Sequence, residues 1–198
     1  IGLPTGLEPQ DVKMLFAVYR TLVLLSKAGD VYVLGYMSGA LDGNGAVQGT
    51  TGMNSWQRVK IDATTYLTGV KNVRGQSARA NYNAFVAETN DGKMYTWGAS
   101  TFLGDGTGSA YRSYATEMTL PDEVKTKGIK MIGVTGGITG GSSYNTYYVL
   151  SNSGNLYAMG DNKNYQCGAF TRDLVHLNWV QAQKSAAPND FLTNVIFV

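Results

Sequence analysis

Charge is what this sequence has least of. Only 15% of its 198 residues are charged and the formal net charge is +2. That leaves no concentrated basic face of the kind nucleic-acid binding needs, so no nucleic acid is expected as a partner. One histidine, His176, and one cysteine, Cys167, nine positions apart, are too few for a recurring catalytic set or a Cys/His metal centre. An internal disulfide is impossible with one thiol, and Cys167 reads as a packing residue in a loop, His176 as a surface residue. No acidic motif is clustered or repeated as paired-carboxylate hydrolysis would require. No apolar run approaches the roughly 20 residues of a membrane-spanning helix. The sequence therefore predicts no enzyme, no catalytic residues, no metal and no cofactor.

Glycine and tyrosine, by contrast, are plentiful, at 25 and 13 residues. They recur in phase. GDVYVLG (29–35), GKMYTWG (92–98) and GNLYAMG (154–160) begin 63 and 62 residues apart, the mark of a repeat architecture. Ser26, Thr89 or Ser151 stands three residues before each first glycine, and a short apolar stretch precedes it: 22–25, 85–87 and 147–150. Each unit reads as two strands joined by a tight turn in which glycine supplies positive φ. In the second strand Val31, Met94 and Leu156 point one way. Tyr32, Tyr95 and Tyr157 point the other, with Leu34, Trp97 and Met159 two positions on. Strands apolar on both faces are covered on both sides. A weaker marker, two aliphatics flanking two mostly polar residues, starts at Val12, Val70, Ile129 and Leu192. The expected organisation is one domain over 1–198, with repeats at about 12–69, 70–128 and 129–191 and a fourth opening at 192–198.

No strong helical pattern appears; Thr171–Trp179 could make a turn or two. Two segments imitate ligand loops. Asp42-Gly43-Asn44-Gly45 and Asp105-Gly106-Thr107-Gly108 lack the acidic side chains of a calcium site and read as turns. Gly-rich 136–142 lacks the Gly-Lys-Ser/Thr of a phosphate cradle and reads as a flexible inserted loop. An all-β chain with a period of this length suits four-stranded propeller blades.

The repeats resemble the RCC1-like superfamily, the β-propellers named after the regulator of chromosome condensation. Thr89-Asn90-Asp91-Gly92-Lys93-Met94-Tyr95-Thr96-Trp97-Gly98 follows the family's Ser/Thr-x-x-Gly turn and its apolar-Tyr-x-Trp-Gly strand. Phe102-Leu103-Gly104-Asp105-Gly106, Ala40-Leu41-Asp42-Gly43 and Tyr165-Gln166-Cys167-Gly168 are similar to the loop that follows. The resemblance covers roughly 12–198. It departs from the family at Thr21, Ala84 and Thr146, where histidine is usual, and at Leu34 and Met159, which stand where the second copy has Trp97. It implies an all-β propeller-type array of about three blades in which Gly29, Tyr32, Gly35, Gly92, Tyr95, Trp97, Gly98, Gly154, Tyr157 and Gly160 are architectural. Members serve as an exchange factor for a small GTPase, as β-lactamase inhibitors and as interaction domains.

Three blades are fewer than the ~4–8 of known rings. Residues 3–15 also resemble 120–132. The chain, which starts at Ile1 rather than methionine, is thus expected to be part of a longer protein, half of a dimeric ring, or an open array capped by partner subunits. Tyr36, Tyr66, Tyr82, Tyr111, Tyr114, Tyr144 and Tyr165 fall in loops or at strand ends, where tyrosine either packs locally or serves binding. Tyr36, Phe102 and Tyr165, with Tyr111 and Tyr114, form the expected interaction surface. The function expected is non-catalytic protein interaction or adhesion in a secreted or surface-exposed protein. The alternative is a carbohydrate-binding module that stacks glycans on these tyrosines.

Overall fold

The computed structural model describes residues 2–35, 43, 55–77, 83–99, 111–139 and 142–198. Its strands form three antiparallel four-stranded sheets, each a meander in sequence order. The first holds β1 (Val12–Val18), β2 (Thr21–Ser26), β3 (Val31–Gly35) and β4 (Gln57–Arg58). The second holds β5 (Val70–Ser77), β6 (Asn83–Thr89), β7 (Met94–Ala99) and β8 (Tyr111–Met118). The third holds β9 (Ile129–Thr139), β10 (Ser142–Ser151), β11 (Leu156–Asp161) and β12 (Val175–Gln181). A short helix, α1 (Asp122–Lys127), links the second sheet to the third. This is the blade architecture that the resemblance implies, and the three sheets do not close into a ring.

The central hairpins are built alike. Leu25 pairs with Val31, Glu88 with Met94 and Leu150 with Leu156. The hydroxyl residue in front of each first glycine has a definite task. The Ser26, Thr89 and Ser151 side chains accept the backbone N–H of Asp30, Lys93 and Asn155 at 3.0, 3.2 and 3.1 Å. Each thus satisfies a turn donor that has no ladder partner. The first glycines, Gly29, Gly92 and Gly154, have φ of 88°, 82° and 87°, as the turn demands. The last glycine of the heptapeptide is fixed by crowding as well: a Cβ on Gly98 would lie 2.3 Å from the Asn83 carbonyl oxygen.

Two apolar cores join the sheets. Val23, Leu25, Val31 and Val33 of the first sheet meet Val73, Phe85, Ala87 and Trp97 of the second. Ala84, Val86 and Met94 meet Ile132, Tyr147, Val149 and Met159 of the third. Burial of each Val, Leu, Ile, Phe or Met side chain among these favours the packed state by about 1.5–3 kcal/mol. The alternation read from the heptapeptide therefore has a structural meaning. Val31 and Met94 face the following sheet, while Tyr95 with Trp97 and Tyr157 with Met159 face the preceding one.

The passage from one sheet to the next is also repeated. The N–H of Val59 and of Ala182 donates to the carbonyl of Val31 and Leu156, respectively. Lys60 bridges Tyr66 as Gln183 bridges Phe191. Val70 N–H donates to Gly29 O and Val195 N–H to Gly154 O, both at 3.0 Å. Val195 thus stands where Val70 stands, three residues beyond the Leu192 phase of the sequence marker. Leu192 instead occupies the place of Leu67, its N–H on Ala182 O as that of Leu67 is on Val59 O.

Three expectations are corrected. Thr171–Trp179 is not helical: Val175–Gln181 is the edge strand β12, paired with β11. The helix lies instead at Asp122–Lys127, with Val124 buried in the second core. Gly136–Thr139 and Ser142 are not a flexible loop but strand residues of the long β9–β10 hairpin. His176 is buried at 8% exposure, its Nε2 3.1 Å from the Thr171 hydroxyl.

Candidate functional site

The expected interaction surface divides. Tyr36 and Phe102 lie outside the described residues, as does Tyr82. Tyr111 opens β8, and Tyr114 is half-buried within that strand rather than displayed on a loop. Tyr144 is likewise half-buried in β10, with the Lys163 ammonium 3.4 Å above its ring centroid. Tyr165 is 63% exposed.

What presents Tyr165 is a loop of unusual order, running from Asp161 at the end of β11 to Leu174 before β12. Asn162, almost fully buried, takes the Cys167 N–H on its Oδ1 at 3.1 Å and donates from Nδ2 to Asp173 O at 2.9 Å. Gln166 donates to the Asp161 carboxylate at 2.5 Å and accepts the Asn164 N–H at 2.8 Å. Burial raises the Asp161 carboxyl above its ordinary range, against the opposing Gln166 hydrogen bond. The Tyr148 hydroxyl donates to Gln166 O at 3.1 Å. Gly168 N–H donates to Tyr165 O, and Gln183 N–H to Gly168 O, both at 2.9 Å. The Cys167 thiol faces the Asp161 carbonyl at 3.4 Å, and burial pushes it up to about 12. It is a packing group, as expected, and a poor nucleophile.

Upon this frame stand two aromatic side chains. Tyr165 and Phe170 both have positive φ, 60° and 49°, and Phe170 is 53% exposed. Positive φ is costly for non-glycine residues, and at Tyr165 the backbone is held by its N–H on Asn162 O and by its carbonyl under the Gly168 N–H, both at 2.9 Å. Leu174 and Leu177 add exposed aliphatic surface beside them in sequence, at 60% and 44%. Phe170, Leu174 and Leu177 were not picked out from the sequence; the one usable signal was an aromatic residue following a glycine-bearing turn.

A second missed pair is structural. Trp56 Nε1–H donates to Gly2 O at 2.8 Å, and Trp179 Nε1–H to Thr119 O at 2.7 Å. Each indole pins the connector segment in front of its own sheet, one residue before the similar stretches 3–15 and 120–132. In the second sheet the same place belongs to Ala115, whose backbone N–H donates to Lys60 O at 2.8 Å.

The repeated tyrosines show how the copies diverge. Tyr32 pairs across the sheet with Arg58, Tyr95 with Glu117 and Tyr157 with Gln181. Arg58 forms an ion pair with Asp30; Glu117 forms the reverse pair with Lys93 at 3.1 Å; Asn155 and Gln181 occupy these places in the third copy. Burial raises the phenol of all three tyrosines above 10. Among the described residues no group of three metal-ligating side chains is found, and no helix is long and apolar enough to cross a membrane.

These sheets and hairpins define a propeller-blade array. Its fold is similar to that of solved RCC1-like propellers. It resembles Prp20p from Saccharomyces cerevisiae, described with its binding properties to Gsp1p and histones, at 13% identity and a TM-score of 0.63, over 89% of this chain and 39% of that one. It also resembles human WBSCR16, at 14% identity and 0.58, over 90% and 40%. Yeast RCC1 (Prp20) bound to Kap60 matches at 17% and 0.60, over 88% and 35%. The chain thus spans less than half the length of the structures it matches. No family model matches the sequence, and no curated protein does.

Proposed function

We propose that this chain is a non-catalytic protein-interaction module built on RCC1-like blades. One observation carries the reading: the hydrogen-bonded loop between β11 and β12 holds Tyr165 and Phe170 out into solvent. Rigid exposed aromatics lose little conformational freedom on binding and are favoured as interface anchors. The structurally similar Prp20p is described with Gsp1p, histones and Kap60. That supports protein docking as the kind of function, and none of those partners is carried over. The Gly, Ser, Thr, Asn and Tyr texture supports a secreted or surface-exposed assembly, with adhesion as one use. Tyr36, Phe102, Tyr111 and Tyr114 stay with the proposed surface as further contacts.

The test is quantitative capture of proteins by the immobilised chain, compared with a Tyr165→Ala/Phe170→Ala variant of equal thermal stability. Loss of a captured partner in the variant supports the reading. Undiminished capture contradicts it, and so does binding that free sugar abolishes, which would favour glycan recognition.

A further inference from the structure

Beside the edge strand β4 lies a cleft of about 610 Å³, within the 300–1,000 Å³ usual for ligand sites. Its walls combine two cations, Arg58 and Lys60, with three aromatics, Tyr32, Trp56 and Tyr66. The Tyr66 ring, 42% exposed, carries the Arg58 guanidinium 4.4 Å from its centroid and the Lys60 ammonium 5.4 Å from it. Both positive groups are thereby gathered around one aromatic ring.

The repeat itself does not ask for this charge. Counting along the paired strands, Arg58 corresponds to Glu117 and Gln181, and Lys60 to Thr119 and Gln183. The same fold is thus built in the other copies with acidic or neutral side chains. Asp30 occupies part of the Arg58 fork, but Arg58 Nε is buried without an acceptor. Lys60 has no carboxylate partner among the described residues. The nearby Asp62 is turned to its own loop: its Oδ1 takes the N–H groups of Thr64 and Thr65, both at 2.8 Å, and the Thr64 hydroxyl at 2.9 Å.

We infer that this cleft binds an acidic peptide segment of a protein partner, with carboxylates on Lys60 and Arg58 and their aliphatic stems against Trp56 and Tyr66. The charge complementarity selects the ligand, because two cations with one engaged counter-ion leave net positive charge in a partly enclosed site. The inference rests on the docking reading but uses a surface separate in sequence from the Tyr165 loop.

The probe is a fluorescein-labelled deca-glutamate peptide, with a deca-glutamine counterpart, followed by anisotropy on the folded chain. Saturable glutamate binding is expected, weakened by salt, with no glutamine binding. Lys60→Glu should raise Kd at least about tenfold. Lys130→Glu, which changes an exposed lysine on β9, should raise it less than twofold at matched salt, and a thermal melt confirms that both variants fold. Equal weakening by the two substitutions, equal binding of the glutamine peptide, or no glutamate binding overturns the inference. If proteins are captured through Tyr165 and Phe170 while the glutamate peptide fails to bind, the cleft is excluded and the docking reading stands. If the peptide binds through Lys60 while no protein is captured, the docking reading fails and the cleft remains a carboxylate site.

Discussion

Trp97→Ala should loosen the joint between the first two sheets. Trp97 is fully buried and stacks on Phe85, with ring centroids 5.3 Å apart and planes at 20°. Its other neighbours include the backbone at Gly43, where a Cβ would come within 3.1 Å of the indole Cδ1. Truncating a buried tryptophan costs about 3–5 kcal/mol, and a lost aromatic stack adds about 0.5–1.5. Walls of sheet and backbone cannot collapse into the hole, so the upper part of that range, about 5 kcal/mol, is expected. In a domain of this size each kcal/mol shifts Tm by about 2–4 °C, so the melt should fall by about 10–20 °C. Trp97→Leu, which installs the residue of the first copy, should cost about 2–3 kcal/mol. Urea unfolding followed by circular dichroism gives the energies. Hydrogen exchange should show β1, β2 and β5 deprotected before β10, since stacked repeats lose stability at the damaged junction first. A loss below about 1 kcal/mol for Trp97→Ala would refute the claim that this residue joins the sheets.

Gly98→Ala, at φ 117° and against the Asn83 carbonyl, should cost about 2–4 kcal/mol, whereas Gly92→Ala, at φ 82° with open space around it, should cost about 1–2, both read from urea midpoints. Trp179→Phe removes the 2.7 Å hydrogen bond to Thr119 O and should cost about 0.5–1.5 kcal/mol in the same assay. Cys167 supplies a pH signature. Its folded pKa of about 12 lies above the ordinary 9.0, so the native state holds the proton more tightly than the unfolded state. Its contribution to stability is complete below pH 9 and is lost as pH rises from there towards 12. Wild type should therefore lose stability over that window relative to Cys167→Ala, and iodoacetamide at pH 8 should label Cys167 only after unfolding.

What could be read from the sequence was what local chemistry determines. The hydroxyl at Ser26, Thr89 or Ser151, the positive-φ glycine three residues later and the two-faced strand lie within about a dozen residues of one another, so the hairpins were legible. β12 was not. It is an edge strand in which the aliphatics Val175 and Leu177 are exposed and the polar His176 is the buried residue, so it shows no alternation with apolar residues inward. α1 is six residues long, too short to display a helical period. The glycines at 136 and 137 resembled loop residues, yet Gly136 lies in β9 where a Cβ would overlap the Gln76 amide of the neighbouring sheet. The phase of the final marker slipped because Leu192-Thr193-Asn194-Val195 carries the two aliphatics with polar residues between, whereas the segment that starts at Val195, where the hydrogen bond to Gly154 O falls, is apolar throughout. Of the candidate site, the tyrosine at 165 was legible from repeat phase. Phe170 and the Arg58–Lys60 cleft depend on backbone conformation and on contacts between distant segments, which no local pattern reveals.

Methyl–methyl and methyl–aromatic NOEs in an isotope-labelled sample test the stacked-sheet arrangement most directly. Cross-peaks are predicted from Val23 and Leu25 to Phe85 and Trp97, and from Val86 and Met94 to Tyr147, Val149 and Met159. Intact hairpin NOEs within each sheet without those inter-sheet cross-peaks would contradict it.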